Sequence, residues 1–250
     1  MPHPYLDYES PIGFAHRGGA GVFPENTERA FRHAVDLGFT HLETDVHATA
    51  DGVLIAFHDD RLDRVTDRTG RILDLSWAEV AEARVDGTDP ILRFDELLER
   101  FPESRINIDP KADTAVEPLA AAILEAGVQD RVCVTAFSRR RTLRVKELVG
   151  DDLCTGGAAA ASLQTLLGRL PLGFLHGVDV LQVPPRVGPL PVVTRRFVDT
   201  AHRHGVHVHV WTIDEPDDIR RLIDLGVDAI MTDRPEVLVE VFAERGHTVG

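Results

Sequence analysis

Apolar residues in this chain come in short runs rich in Val and Ile, separated by stretches of helical period. Length and β-branching mark eight runs as strands: 12–16, 41–47, 106–110, 132–136, 153–155, 178–183, 206–211 and 228–232. The fifth is the weakest, because it runs into Gly156 and Gly157. Helical patterns lie at 28–37, 77–83, 94–100, 116–125, 139–148, 162–167, 195–204, 216–225 and 235–244. Their ends carry the expected punctuation. Thr27 is an N-cap, and Gly38, Gly127 and Gly150 are stops.

One run breaks the alternation. Residues 53–57 also look like a strand, but only 48–52 separate them from the run before. A parallel crossover needs about a dozen residues, and Asp51-Gly52 is a hairpin signal. Residues 53–58 are therefore expected to be the return arm of a hairpin that brings His58 back to the rim of the second strand. Eight strands alternating with helices imply an α/β fold, a (β/α)8 TIM barrel with that arm and a small helical insertion behind it. A doubly wound open sheet is the alternative, weakened because no Gly-x-Gly-x-x-Gly turn follows the first strand. The 250 residues are expected to form one barrel domain.

Composition narrows the class further. The chain is 43% hydrophobic and 27% charged, as a soluble globular protein is, and no apolar run approaches membrane-spanning length. Its net charge of −14 argues against nucleic acid as a partner and against insertion into or broad adhesion to anionic membranes. Residues 1–11 show no signal-peptide pattern, and two cysteines, Cys133 and Cys154, make no disulfide framework. A cytoplasmic protein with buried thiols is expected. Of the 27 basic residues only Lys111 and Lys146 are lysine.

In a barrel of this kind the strands' C-terminal ends build the active site. Those ends carry His16-Arg17-Gly18-Gly19, Glu43-Thr44-Asp45, His58 on the arm, Asp109-Pro110-Lys111, Gln182 and Trp211-Thr212. Glu43 and Asp45 point to one face of their strand, and two such carboxylates repel unless a cation or proton lies between them. With Asp109 they offer hard oxygen donors suited to one Mg²⁺ or Ca²⁺, or they are rim charges paired with arginines. His16 and His58 have the chemistry of an acid–base pair. Arg17 and Lys111 suit a phosphate. Trp211 and Gln182 are candidates for the substrate-binding wall. Phe137 could give an apolar wall there, but core packing is the role expected of it. The basic stretch 131–150 reads as a solvated helix face. His207 and His209, two apart on one strand, raise a second class, a zinc amidohydrolase-type hydrolase. A third is a non-catalytic binding barrel.

Taken together, these residues resemble the glycerophosphodiester phosphodiesterase family. The matching stretches are His16-Arg17-Gly18-Gly19 with Pro24-Glu25-Asn26-Thr27, Glu43-Thr44-Asp45-Val46 with Asp51-Gly52, and His58-Asp59 with Leu62 and Arg64. They continue with Asn107-Ile108-Asp109-Pro110-Lys111, Trp211-Thr212, and Gly226-Val227-Asp228-Ala229-Ile230 with Thr232-Asp233-Arg234-Pro235. The resemblance implies hydrolysis of a small-molecule glycerophosphodiester to sn-glycerol 3-phosphate and an alcohol, with a divalent metal. It makes Glu43, Asp45 and Asp109 the metal ligands, His16 and His58 the acid–base pair, and Arg17 and Lys111 the phosphate binders. Glu25 and Asn26 are expected to support them from a mouth loop. Two positions depart from the family pattern. Asp109 stands where Glu is usual, and Asp214 stands where Asn often follows the Trp-Thr pair, which would alter the polar wall on the leaving-group side.

Overall fold

The computed structural model describes residues 3–9, 11–157 and 178–250. Eight parallel strands close into a barrel: β1 (Ile12–Ala15), β2 (His41–Ala48), β3 (Arg105–Pro110), β4 (Val132–Val134), β5 (Cys154–Gly157), β6 (Val180–Val183), β7 (His207–Val210) and β8 (Ala229–Thr232). Each pairs with the next, and β1 pairs with both β8 and β2, so no barrel edge is left open. The expected barrel is borne out, and the open sheet is excluded because the β1–β2 pairing closes the run of strands from β2 through β8 back to β1 into a ring.

The return arm is also present. Leu54–Ala56 runs antiparallel to β2, with Val46 opposite Ala56 and Ala48 opposite Leu54. The Phe57 amide donates to the Asp45 carbonyl at 2.9 Å, pinning the arm one residue before His58. Residues 59–104 then build the rim, where a second small core gathers Ile55, Phe57, Leu62, Ile72, Val80, Val85 and Ile91. Besides the short helices Trp77–Val80 and Phe94–Arg100, this segment carries a two-stranded ribbon, Arg84–Val85 against Asp89–Pro90.

Helices form where caps and stops foretold. The Thr27 hydroxyl accepts from the Ala30 amide and starts Glu28–Asp36. Gly127 ends Val116–Ala126 in the left-handed region, and Pro216 and Pro235 open the last two helices. The helix expected at 162–167 lies outside the described residues. The main core lies between strands and helices, with Leu42, Val46, Ile106, Leu181, Val208 and Ile230 facing outward onto it. Inside the barrel, Phe14, Cys133, Cys154, Val180, Ala229 and Met231 pack above Tyr5 and Leu6 of the N-terminal segment. Both thiols are free and buried.

β5 is short of side chains for a reason. A Cβ on Gly156 would lie 2.2 Å from the Thr135 hydroxyl, so only glycine lets Thr135 stand at the mouth.

Candidate active site

The C-terminal ends of the strands enclose a cavity of about 240 Å³. Its wall contains all nine residues singled out from the sequence: His16, Arg17, Glu43, Asp45, His58, Asp109, Lys111, Gln182 and Trp211.

Each histidine is held by a carboxylate through the same ring atom. His16 Nδ1 lies 2.7 Å from Asp233 Oδ1, and His58 Nδ1 lies 2.6 Å from Asp59 Oδ1. That contact fixes each ring and leaves Nε2 as the free atom. Burial acts to lower the His16 pKa, but Glu43, 3.8 Å from Nε2, and Asp233 outweigh it and raise it above the ordinary value. The His47 imidazole, on β2, meets the His58 carbonyl at 3.1 Å and steadies the arm's end.

The carboxylates are close, with Glu43 and Asp45 buried and Asp109 half-buried. Burial, and then the charge of Asp45, push Glu43 up to about 7. Asp45 is only 1% exposed, yet its pKa is depressed, because Lys111 and Arg17 outweigh the burial penalty. Lys111 Nζ sits 2.6 Å from Asp45 Oδ1 and 2.7 Å from Asp109 Oδ2. Arg17 Nε sits 3.0 Å from Asp45 Oδ2, at an angle that leaves that oxygen without a hydrogen bond. As arranged here, Glu43, Asp45 and Asp109 do not close around one point. Among the described residues no three His, Cys, Asp or Glu side chains do. The cation between Asp45 and Asp109 is the lysine ammonium.

The loop after β1 makes this packing possible. Arg17, Gly18 and Gly19 all have positive φ, and the Arg17 amide donates to Glu43 Oε2 at 3.0 Å. A Cβ on Gly18 would come within 2.8 Å of the Ala30 Cβ and 2.9 Å of the Phe31 nitrogen. A Gly18→Ala variant is therefore expected to lose about 1–3 kcal/mol of stability. Urea denaturation reads this directly, and an unchanged midpoint would mean the turn relaxes freely. Glu25 accepts from Arg17 and Arg64, and Asn26 Oδ1 accepts from the Thr44 hydroxyl at 2.8 Å, as supports from the mouth loop.

Several site residues escaped the sequence reading. Asn107 Oδ1 accepts from Gln182 Nε2 at 2.7 Å and faces Thr135, so a buried amide pair forms part of the cavity wall. Asn107 alternates with Asp109 on β3, and that spacing was the available signal. Asp59 and Asp233 belong to the family-like stretches, and each is a histidine's partner.

Three expectations need correcting. Phe137 is not core. It is 67% exposed, its ring meets the Trp211 ring edge-on at 5.6 Å, and it lines the cavity. An apolar residue directly after a barrel strand had two available fates, and the chain turns outward there. Asp214 is not part of the cavity wall. Its carboxylate accepts from the Thr232 hydroxyl and the Asp233 amide and so orders the turn that carries Asp233. The zinc pair His207 and His209 sits at the other end of the barrel. Both rings contact the Tyr8 hydroxyl at 2.9 Å, and burial drives His209 down to about 3. The basic stretch is a paired helix face. Arg140 and Arg141 meet Asp113, Arg144 meets Glu117 and Glu147, and Arg131 donates to backbone carbonyls.

Comparison with known proteins agrees with this geometry. A model of the glycerophosphoryl diester phosphodiesterase family matches residues 16–237. A Mycobacterium tuberculosis protein named "Probable glycerophosphodiester phosphodiesterase 2" is 37% identical, over 98% of this chain and 96% of its own length. A glycerophosphodiester phosphodiesterase of Caldanaerobacter subterraneus is 29% identical over 93% of this chain and 98% of its own. An Oleispira antarctica phosphodiesterase, solved with its product sn-glycerol 3-phosphate, superposes with a TM-score of 0.79 at 23% identity. The match covers 93% of this chain and 97% of that one.

Proposed function

We infer the activity of this chain from the family to which it belongs, the glycerophosphoryl diester phosphodiesterases, and from the cavity at its strand ends. We propose that it hydrolyses glycerophosphodiesters to sn-glycerol 3-phosphate and an alcohol at the cavity lined by His16 and His58. The observation that carries this reading is the pair of histidines, each tied through Nδ1 to a carboxylate, flanking buried carboxylates and two cations.

The family is metal-dependent, and the donor set fits a hard divalent cation. Burial, and then the charge of Asp45, hold Glu43 near 7, one Asp45 oxygen has no hydrogen bond, and the same spot already draws in the Lys111 ammonium. We assign Glu43, Asp45 and Asp109 to one Mg²⁺ or Ca²⁺. Asp109 is one methylene shorter than the usual Glu, which favours the looser geometry of Ca²⁺. When bound, the cation supplies Lewis-acid stabilisation of phosphoryl charge.

Arg17 and Lys111 neutralise the phosphoryl oxygens, where charge builds in the transition state. One imidazole Nε2 takes a proton from the nucleophile, which is water, or the glycerol 2-hydroxyl in a first step whose cyclic phosphate water then opens. The other delivers a proton to the departing alkoxide. Gln182, Trp211 and Phe137 form the wall beside them. No nucleic acid takes part, and no described helix is long and apolar enough to cross a membrane. We place the activity in the cytoplasm, where Cys133 and Cys154 stay reduced.

The test is hydrolysis of glycerophosphocholine and its ethanolamine, glycerol and inositol counterparts, with EDTA and with Mg²⁺, Ca²⁺ and Mn²⁺ in parallel. Release of sn-glycerol 3-phosphate that stops with EDTA and returns with a cation is expected. A flat, EDTA-insensitive baseline across the panel would leave only a binding barrel.

The metal reading also makes a pH prediction. Glu43 and His16 both bind protons more tightly when folded than unfolded, so their contribution to stability is present at low pH and lost as pH rises. For Glu43 the window runs from about 4.5 to about 7. The chelated protein should melt at a lower temperature at pH 8 than at pH 5.5, and added cation should raise the melting temperature more at pH 8. Equal cation shifts at both values would contradict the Glu43 assignment.

A further inference from the structure

Arg64 stands outside the cavity wall and touches neither imidazole, yet it joins the two sides of the site. One edge of its guanidinium takes Asp59, with Nε 2.6 Å from Oδ2 and Nη2 3.0 Å from Oδ1. The other edge takes Glu25, with Nη1 2.9 Å from Oε2 and Nη2 2.7 Å from Oε1. Asp59 in turn holds His58 Nδ1 at 2.6 Å, and Glu25 holds Arg17 Nη1 at 3.2 Å. The two carboxylates come from different loops. Glu25 belongs to the turn after β1, and Asp59 follows the arm of β2. A single planar fork therefore spans the only described hydrogen-bonded route from His58 to Arg17 by way of these loops.

We propose that Arg64 is a positioning residue for phosphodiester hydrolysis, a clip that fixes the His58 ring relative to the Arg17 guanidinium. The proposal rests on the roles given above to His58 and Arg17. Three features separate it from an ordinary surface ion pair. Both partners are more buried than Arg64 itself, at 25% and 13% exposed against 48%. Each is held by two nitrogens, the geometry that only a guanidinium offers. Arg64 also holds Asp59 far toward its charged form, chiefly through their hydrogen bonds, with a pKa of about 2. A permanently ionised Asp59 is an acceptor only, so it keeps the proton of the His58 Nδ1–H and leaves Nε2 free toward the cavity. Among the described residues the second histidine has no counterpart to this clip: Asp233 is ordered by Asp214 and the turn itself, through its own amide. Displacing a reacting group by about 1 Å can cost about 10²-fold in rate, so loss of the clip is read in turnover.

The experiment compares the metal-loaded wild type with Arg64→Ala, Arg64→Met and Arg64→Lys on the best substrate of the panel. Arg64→Met keeps the aliphatic stem in case the alanine variant folds poorly. We expect kcat to fall about 10–100-fold in Arg64→Ala and Arg64→Met, with KM changed less than about threefold, because Arg64 meets no substrate. Arg64→Lys should recover only part of the loss, since an ammonium cannot fork two carboxylates. Millimolar guanidinium should restore activity to the alanine variant and not to the lysine one. The double variant with Asp59→Asn should lose little more than the worse single variant, because both act on one chain of contacts. Wild-type kcat in Arg64→Ala overturns the proposal. So does a loss that multiplies with that of Asp59→Asn, or one confined to KM. A His58→Ala control separates the two levels. If that variant is fully active, the acid–base reading has failed; if it is inactive while the Arg64 variants are not, only the clip has.

Discussion

A His58→Ala variant is expected to fold and to lose about 10²–10⁴ in kcat, the range for a general acid or base. The fold should survive because the ring leaves behind a carboxylate that is already satisfied. Asp59 keeps both Arg64 contacts, and the arm keeps its backbone bond from Phe57 to Asp45. His16→Ala should lose a similar factor, but Asp233 is then left with its Asp214-ordered turn and no ring partner. The double variant should fall little below the worse single one, since proton removal and proton delivery belong to one transition state. Steady-state kinetics on glycerophosphocholine decides the matter, and full activity in either single variant removes that histidine from the chemistry.

The largest combined effect is expected from Asp45→Ala. Asp45 is the carboxylate that both cations share, at 2.6 Å from Lys111 and 3.0 Å from Arg17. Its removal strips the proposed metal of a ligand and leaves two half-buried cations with fewer partners. Breaking a buried pair costs about 3–5 kcal/mol. Lys111 retains Asp109 and Arg17 retains Glu25, which places the loss at the lower end, about 3 kcal/mol. Activity should drop by about 10²–10³ or more, the scale for removing one electrostatic element from a preorganised site. Urea denaturation and kinetics with added cation read the two parts separately. An unchanged midpoint with an undiminished response to cation would show that Asp45 neither anchors the cations nor binds metal.

Much of this molecule was legible before any coordinates, for reasons of period and punctuation. The barrel followed from eight β-branched runs between helices, and the arm followed from a gap too short for a crossover. The wall of the cavity followed from one rule, that reactive residues ending different strands share a mouth. What stayed hidden was direction and partnership. Whether Phe137 turned in or out depends on where β4 stops, at Val134 rather than Ala136. That Asp214 would serve the turn instead of the cavity depends on an amide at the end of the neighbouring strand, 19 residues on. The hydrogen-bonded pair Asn107–Gln182 joins residues 75 apart in sequence, and no local pattern announces it. Lys111 was conspicuous by its rarity, but its place between Asp45 and Asp109 is a matter of three side-chain conformations. Strand-end chemistry is written locally, whereas its pairing is settled by the closed sheet.

The aromatic floor of the barrel has a consequence for traffic. Tyr5, Phe14, His41 and His209 close the base beneath the cavity, with Tyr8 sealing the two β7 imidazoles from below. A chamber stoppered at one end imposes a queue. Substrate enters and both products depart through the same doorway, and the fragment nearer the door has to leave before the deeper one. The deeper fragment then competes with the next substrate for the emptied chamber, while the shallower one does not. The inhibition patterns of the phosphate product and the alcohol, measured side by side, would therefore reveal which half of the diester goes in first.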